Sequence, residues 1–189
     1  MTLRSFRLFA RQLLLVFALA CAGAAQAADV EITRAAIDKT DEGYRLDAHY
    51  AFELNSAMKD AIEHGIPLYF TTEIQVVRPR WYWRDEVAIR ARQTARISYD
   101  VLIRQYHVSY IGSVRQTFST LEDAMFYIRR PGRWLIGPKS ALKSGETYTV
   151  TLRMGMDREY LSKPIQVNAF NDSDWRLNSN TKRFNYRAE

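Results

Sequence analysis

Apolar and polar residues alternate over five long stretches of this chain. Tyr44, Leu46, Ala48, Tyr50, Phe52 and Leu54 share one side of an extended segment, with Arg45, Asp47, His49 and Glu53 on the other. Leu68, Phe70, Thr72, Ile74 and Val76 repeat the pattern against Tyr69, Thr71, Glu73 and Gln75. Val87, Ile89, Ala91, Ala95, Ile97 and Tyr99 oppose Arg90, Arg92, Arg96 and Ser98. A fourth run sets Tyr106, Val108, Tyr110, Val114 and Phe118 against Gln105, His107, Ser109, Ser113 and Arg115. A fifth sets Tyr148, Val150, Leu152, Met154 and Met156 against Thr149, Thr151 and Arg153. A period of two sends alternate side chains to opposite faces, so these are strands of antiparallel sheets with one dry and one wet side. Two such sheets stacked on their dry faces make a sandwich. The expected fold is an all-β, immunoglobulin-like antiparallel sandwich of roughly seven to nine strands.

Two short helices are expected between the strands. Asn55 is placed to cap a first turn, with Ala57, Met58, Ala61 and Ile62 on one face, and Gly65 followed by Pro67 ends the helix. Thr120, with Asp123 three residues on, opens a second helix whose buried stripe is Leu121, Ala124, Met125 and Ile128. Arg129 and Arg130 then lie where the helix dipole favours cations, before Pro131-Gly132. Neither helix is long enough to be stable alone, so both must pack on the sheets. The tail from Asn178 to Glu189 is either a last edge strand or a frayed end.

The first 27 residues follow a different rule. Arg4, Arg7 and Arg11 precede an uninterrupted apolar run from Leu13 to Ala25, and Ala25-Gln26-Ala27 has the small-x-small form cut by signal peptidases. The run is shorter than the ~20 residues a membrane span requires. Residues 1–27 therefore read as a signal peptide cleaved between Ala27 and Ala28, leaving 28–189 as a single exported domain, periplasmic or secreted. Removing the leader also changes the charge. Of 27 basic and 21 acidic residues, three arginines and no acids leave with it, so the balance falls from +6 to +3. That is an ordinary surface, and it argues against nucleic acid as a partner. The single cysteine, Cys21, lies inside the leader, so the exported domain has no thiol. Lipidation at Cys21 or an uncleaved leader would tether the domain to a membrane, but Ala18-Leu19-Ala20 puts leucine in the wrong place for a lipid-attachment site.

Candidate chemistry is sparse. The densest unusual segment is Arg78-Pro79-Arg80-Trp81-Tyr82-Trp83-Arg84-Asp85-Glu86, between two long strands. Large rigid aromatics beside planar guanidinium groups are typical of binding hot spots, and flat rings can also stack on sugars. Equally, Trp81 and Trp83, two apart on one strand face, could fold back over the core and leave Tyr82 and the arginines wet. Arg90, Arg92 and Arg96 form a basic stripe that Glu73 would face if the two strands pair. Candidate binding residues are thus Arg80, Trp81, Tyr82, Trp83, Arg84, Arg90, Arg92 and Arg96. His49, His64 and His107 lack metal-ligand spacing, no G-x-S-x-G is present, and nothing selects one carboxylate pair among many. Asn171-Asp172-Ser173-Asp174 reads as turn chemistry and not as a calcium loop. No metal, cofactor or catalytic residue is assigned.

Several segments recur in a familiar order: Gly65-Ile66-Pro67-Leu68, Arg80-Trp81-Tyr82-Trp83, Ile97-Ser98-Tyr99 with Arg104-Gln105-Tyr106, and Asp157 through Leu161 to Pro164-Ile165-Gln166-Val167, then Asp174-Trp175. Together they resemble domain-of-unknown-function family 4390, exported proteins of Gram-negative bacteria. Ser162 departs from it where a proline is expected after the leucine. The resemblance implies an envelope location and brings no catalytic residues. Its members are often encoded near a two-component sensor kinase, which implies an envelope protein as partner. The expected function is a non-catalytic binding or accessory protein; the alternatives are a cell-wall glycan-binding module and an envelope hydrolase. The exported protein should have the intact mass of a chain beginning at Ala28. A retained Met1, or a lipid on Cys21, would overturn that reading.

Overall fold

A computed structural model describes residues 30–82 and 84–189; the expected signal peptide, with its Ala27–Ala28 cut and Cys21, lies outside the described residues, as does Trp83. Two antiparallel sheets carry the chain. Strands β1 (Glu31–Lys39), β2 (Tyr44–Ala51) and β7 (Trp134–Gly137) form the smaller, in the order β1-β2-β7. The larger contains β3 (Leu68–Arg78), β4 (Glu86–Asp100), β5 (Gln105–Tyr110), β6 (Gln116–Phe118), β8 (Thr147–Met156) and β9 (Lys182–Arg187), in the order β6-β5-β4-β3-β8-β9. The tail is thus an edge strand, paired with β8 from Leu152↔Lys182 to Thr147↔Arg187.

The dry faces meet as the alternation requires. Leu46, Ala48 and Tyr50 of β2 are buried with Leu68, Phe70, Ile74 and Val76 of β3, Ala95 and Ile97 of β4, and Val150, Leu152 and Met154 of β8. Phe52 meets Phe70 at 5.5 Å between ring centroids. Polar atoms in this layer are matched: Thr72 Oγ1 donates to Tyr50 Oη at 3.1 Å, from β3 to β2. Burial pushes the Tyr50 hydroxyl up to about 12, opposed only by that hydrogen bond.

Helix α1 (Ser56–Glu63) joins β2 to β3, with Asn55 Oδ1 accepting from Met58 N at 2.9 Å and Met58, Ala61 and Ile62 buried. Gly65 follows at φ +80°, as the stop signal requires. Helix α2 (Leu121–Arg129) is capped by Thr120 and buries Ala124, Met125 and Ile128. Arg129 pins it to the end of β2, donating to Phe52 O at 2.9 Å and pairing with Glu53 and Glu122.

Four expectations need correction. A third helix, α3 (Lys163–Asn171), lies in the β8–β9 connection, so two helices were too few. Pro164 in its first turn is tolerated because the proline's missing N–H has no helical partner there. The run from Tyr106 to Phe118 is two strands, broken at Gly112 (φ +83°), and Val114 is exposed. Val87 is 46 % exposed because a bulge between Val76↔Ile89 and Val77↔Val87 moves it off the dry face. Strands β1 and β7 are additional to those that the alternation predicts.

Tyr50→Phe should destabilise the domain by about 1–2 kcal/mol, since it leaves the buried Thr72 hydroxyl unmatched, and Thr72→Val added to it should recover part of the loss. Because the folded Tyr50 holds its proton more tightly than the unfolded chain does, stability is full below pH 10 and falls as pH rises towards 12. Urea unfolding across that window checks both, with a shallower decline expected for Tyr50→Phe.

Candidate functional site

The strands β3 and β4 separate after their last pair, Arg78↔Glu86, and the connection projects beyond the ladder. Two arginines brace its base. Arg78 holds Glu86 through Nη2 at 2.5 Å and Nε at 3.1 Å, and Arg80 Nη2 bonds the same carboxylate oxygen. Asp85 Oδ1 accepts from Arg80 N at 3.2 Å. These hydrogen bonds, Arg78 first and Arg80 second, hold the Glu86 carboxyl below the ordinary carboxylate range. At the tip, Trp81 is 93 % exposed and Tyr82 68 % exposed. Their rings meet edge to face, 5.1 Å apart and 72° between planes. Trp81 therefore does not fold back over the core. Arg84 is exposed beside them and, among the described residues, has no ion-pair partner.

The arginine stripe lies on the wet face of the larger sheet, and Glu73 faces it as the alternation implied. Register sets Gln75 against Arg90, Glu73 against Arg92 and Tyr69 against Arg96. Arg92 is drawn into a network: its Nε lies 3.7 Å from Glu73 Oε1, and its Nη2 bonds Asp157 Oδ2. That same Asp157 oxygen accepts from Thr71 Oγ1 at 3.1 Å, and Thr71 in turn touches Thr94 Oγ1 at 2.9 Å. Arg153 reaches Glu73 from β8 at 3.9 Å. Tyr160 stacks on Tyr69 at 5.1 Å, with the Arg92 guanidinium 6.0 Å from the Tyr160 ring centre. Thr71, Glu73, Arg92, Arg153 and Asp157 line an open basin of about 490 Å³, closed on one side by Gly155, Asn178 and Ser179. Arg90 is exposed without an ion pair among the described residues, and the Arg96 Nε is buried without a hydrogen-bond partner.

The family described as Domain of unknown function (DUF4390) matches residues 27–185. The chain belongs to that family. No curated protein and no solved structure matches it significantly. DUF4390 membership agrees with the resemblance read from the ordered segments, and the exposed tip Trp81-Tyr82 and the buried Leu161 both fall on them.

The histidines stay apart: His49 lies on β2 and His107 on β5 of the other sheet, where its Nδ1 meets Thr117 Oγ1 at 3.1 Å. Among the described residues no group of three His, Cys, Asp or Glu side chains gathers to hold a metal ion. Asp172 Oδ1 accepts from Asp174 N at 2.9 Å, the local turn expected there. Two features escaped the sequence reading. Asp157 and Arg153 complete the Arg92 network. At the far end of β4, Val101, Leu102 and Ile103 are 58 %, 94 % and 57 % exposed in a turn held by Asp100 Oδ1, which accepts from Leu102 N at 3.0 Å and Ile103 N at 3.3 Å. Three apolar residues in succession between two alternating strands were the available signal.

Trp81→Ala and Leu102→Ser should each change unfolding free energy by no more than about 0.5 kcal/mol, because neither side chain is packed. A loss several times larger in urea titration would show that the side chain is core. By NMR titration Glu86 should be found ionised at a pH where an unpaired glutamate is protonated; its contribution to hairpin order is present above 4.5 and lost as pH falls through its lower folded value.

Proposed function

We propose that this DUF4390 chain is a non-catalytic binding protein of the bacterial envelope, built on an immunoglobulin variable-type sandwich and docking an envelope protein through the Arg78–Glu86 hairpin. The fold assignment draws on strand order. Taking β1, β2 and β7 as strands A, B and E, and β3, β4, β5, β8 and β9 as C, C′, C″, F and G, the larger sheet runs C″-C′-C-F-G, with β6 added outside C″. Tyr148, second residue of the F-equivalent strand, accepts at its hydroxyl from Lys143 N, five residues upstream, at 2.8 Å. That is the position and bonding of the tyrosine corner found in such sandwiches. An exported location draws on the basic, apolar, small-residue sequence of positions 1–27.

The observation that carries the binding reading is the exposure of Trp81 on a braced tip. A tryptophan almost wholly in water adds nothing to folding, yet its base is fixed by two arginines on one carboxylate. Rigid aromatic anchors beside arginine are the side chains that contribute most at protein interfaces. The edge-to-face rings offer no shared plane to a sugar, so the glycan alternative gains no support from them. The basin's carboxylates, Glu73 and Asp157, are both engaged by Arg92, which suits a structural network better than acid–base work.

A photoreactive amino acid at position 82 should cross-link one envelope protein in growing cells, and Trp81→Ala should abolish that adduct while leaving the amount of folded protein unchanged. The same label at Lys139, on another connection, should give none. No adduct at position 82, or an adduct indifferent to Trp81→Ala, would overturn this reading.

A further inference from the structure

Strand β4 is fifteen residues long, and its two neighbours cover it unequally. On one side β3 accompanies it from Glu86 to Ile97. On the other, β5 pairs only with Ala95 to Asp100. The last contact on that side is Ile111 N donating to Thr94 O at 3.1 Å, and the chain then turns away at Gly112.

Main-chain groups of an antiparallel strand point alternately to its two neighbours. Since Thr94 faces β5, the residues two and four before it face the same way. The N–H and C=O of Arg92 and Arg90 are therefore directed to the open side, while those of Ile89, Ala91 and Gln93 are used by β3. Among the described residues no strand or loop backbone meets them there. The result is two donors and two acceptors in a pleated strand already held rigid along its other edge, which is a template for one more strand.

Charge decides what fits. Arg90 and Arg92 share the wet face of this edge, and Arg84, in the connection just before β4, has no ion pair among the described residues. A second copy of the chain pairing here would bring arginines against arginines, which is unfavourable across a ladder. An extended segment with acidic residues at alternate positions would instead meet Arg90, which has no ion pair among the described residues. Apolar side chains lie at the far end of the edge, where Ile111 is 67 % and Val114 81 % exposed.

We propose that the Arg90–Arg92 stretch of β4 is a strand-addition site for an extended acidic segment of a protein partner. This deepens the binding-protein reading and rests on it, assigning the partner's chemistry and the mode of capture.

Hydrogen exchange by NMR on the exported protein tests the site directly. In the free protein the amides of Arg90 and Arg92 should exchange fast while those of Ala91 and Gln93 are protected. An end-blocked octapeptide alternating glutamate and valine should slow Arg90 and Arg92 by about ten-fold or more. Its lysine–valine counterpart, and a version methylated on alternate backbone nitrogens, should not. Arg90→Glu should weaken the glutamate peptide by about ten-fold. Arg90→Pro removes a donor on the open side only, so it should abolish the protection at Arg92 while circular dichroism stays unchanged; Arg90→Ala keeps the donor and should retain part of it. Amides of Arg90 and Arg92 already slow in the free protein, or unmoved by the glutamate peptide, would overturn the proposal, as would equal binding of the lysine peptide. A partner cross-linked at position 82 that leaves these amides fast would sink the strand-addition site and spare the binding-protein reading. Absence of any cross-link at position 82 would remove the reading on which the site rests.

Discussion

A hydrogen bond between Thr72 and Tyr50, buried where the two sheets meet, fixes how one lies on the other. Apolar contact is non-directional and would accept many sliding arrangements of two greasy faces. A hydroxyl in that layer accepts few, because leaving it unmatched costs about 1–3 kcal/mol. Tyr50 reaches from β2 to the middle of β3, and Phe52 against Phe70 repeats the contact two residues on. The chain has one cysteine, Cys21, so no disulfide joins the sheets. Registry rests instead on this pair and on the shape of the side chains around it. Everything at the ends follows: α1 leaves β2 just after Phe52, and Arg129 of α2 closes on the Phe52 carbonyl.

With the dry faces so locked, the wet face of β3 and β4 has no freedom either. Glu73 must stand between Arg92 and Arg153 because the strands on both sides are in register with it. Asp157, the first residue beyond β8, is delivered to Arg92 and Thr71 by the same register. Gly155 permits this closure: a side chain there would meet Asn178 and the Leu177 carbonyl well inside contact distance, and Met156 N could not reach Leu177 O at 2.7 Å. The network on the wet face is thus a consequence of the packing on the dry one.

Much of this could be read from the residues. Strands β2, β3, β4, β5 and β8 and both early helices follow from alternation and from caps at Asn55 and Thr120. The Arg92–Glu73 pair follows because alternation assigns faces and neighbours in sequence tend to pair. What failed did so for local reasons. Ile32 and Ile37 are five apart and share a face only because β1 is irregular between Ile32 and Arg34, which erases the period-two signal. Strand β7 spans four residues, too few to show any period. Helix α3 carries Pro164, Ile165 and Val167, a composition that favours turns and strands until tertiary packing overrides it. Asp157 lies outside every periodic run, so its place beside Arg92 depends on the β3–β8 pairing, which sequence patterning does not reveal. The fate of Trp81 was open for a related reason. Spacing puts it on one face of a strand, but the ladder ends at Arg78, and beyond that point face has no meaning.

The distribution of unmatched groups bears on what kind of protein this is. Glu73 and Asp157 in the larger sheet's basin are tied to arginine, the Thr71 and Thr72 hydroxyls are hydrogen-bonded, and α1 and α2 begin on capped turns. What is left over is of a different character: an exposed tryptophan on a braced tip, three apolar side chains on a turn at the other end of β4, and Arg90, which has no ion pair among the described residues. None of these contributes to folding, and large exposed apolar groups carry a solubility cost that a stable domain has no reason to bear. They also lie on or at the two ends of one strand, β4, which is about 45 Å long. Under the proposed binding role, a surface whose unsatisfied groups are aromatic, aliphatic and cationic, set on a strand paired from Glu86 to Ile97 on one side, would hold another polypeptide in a fixed orientation.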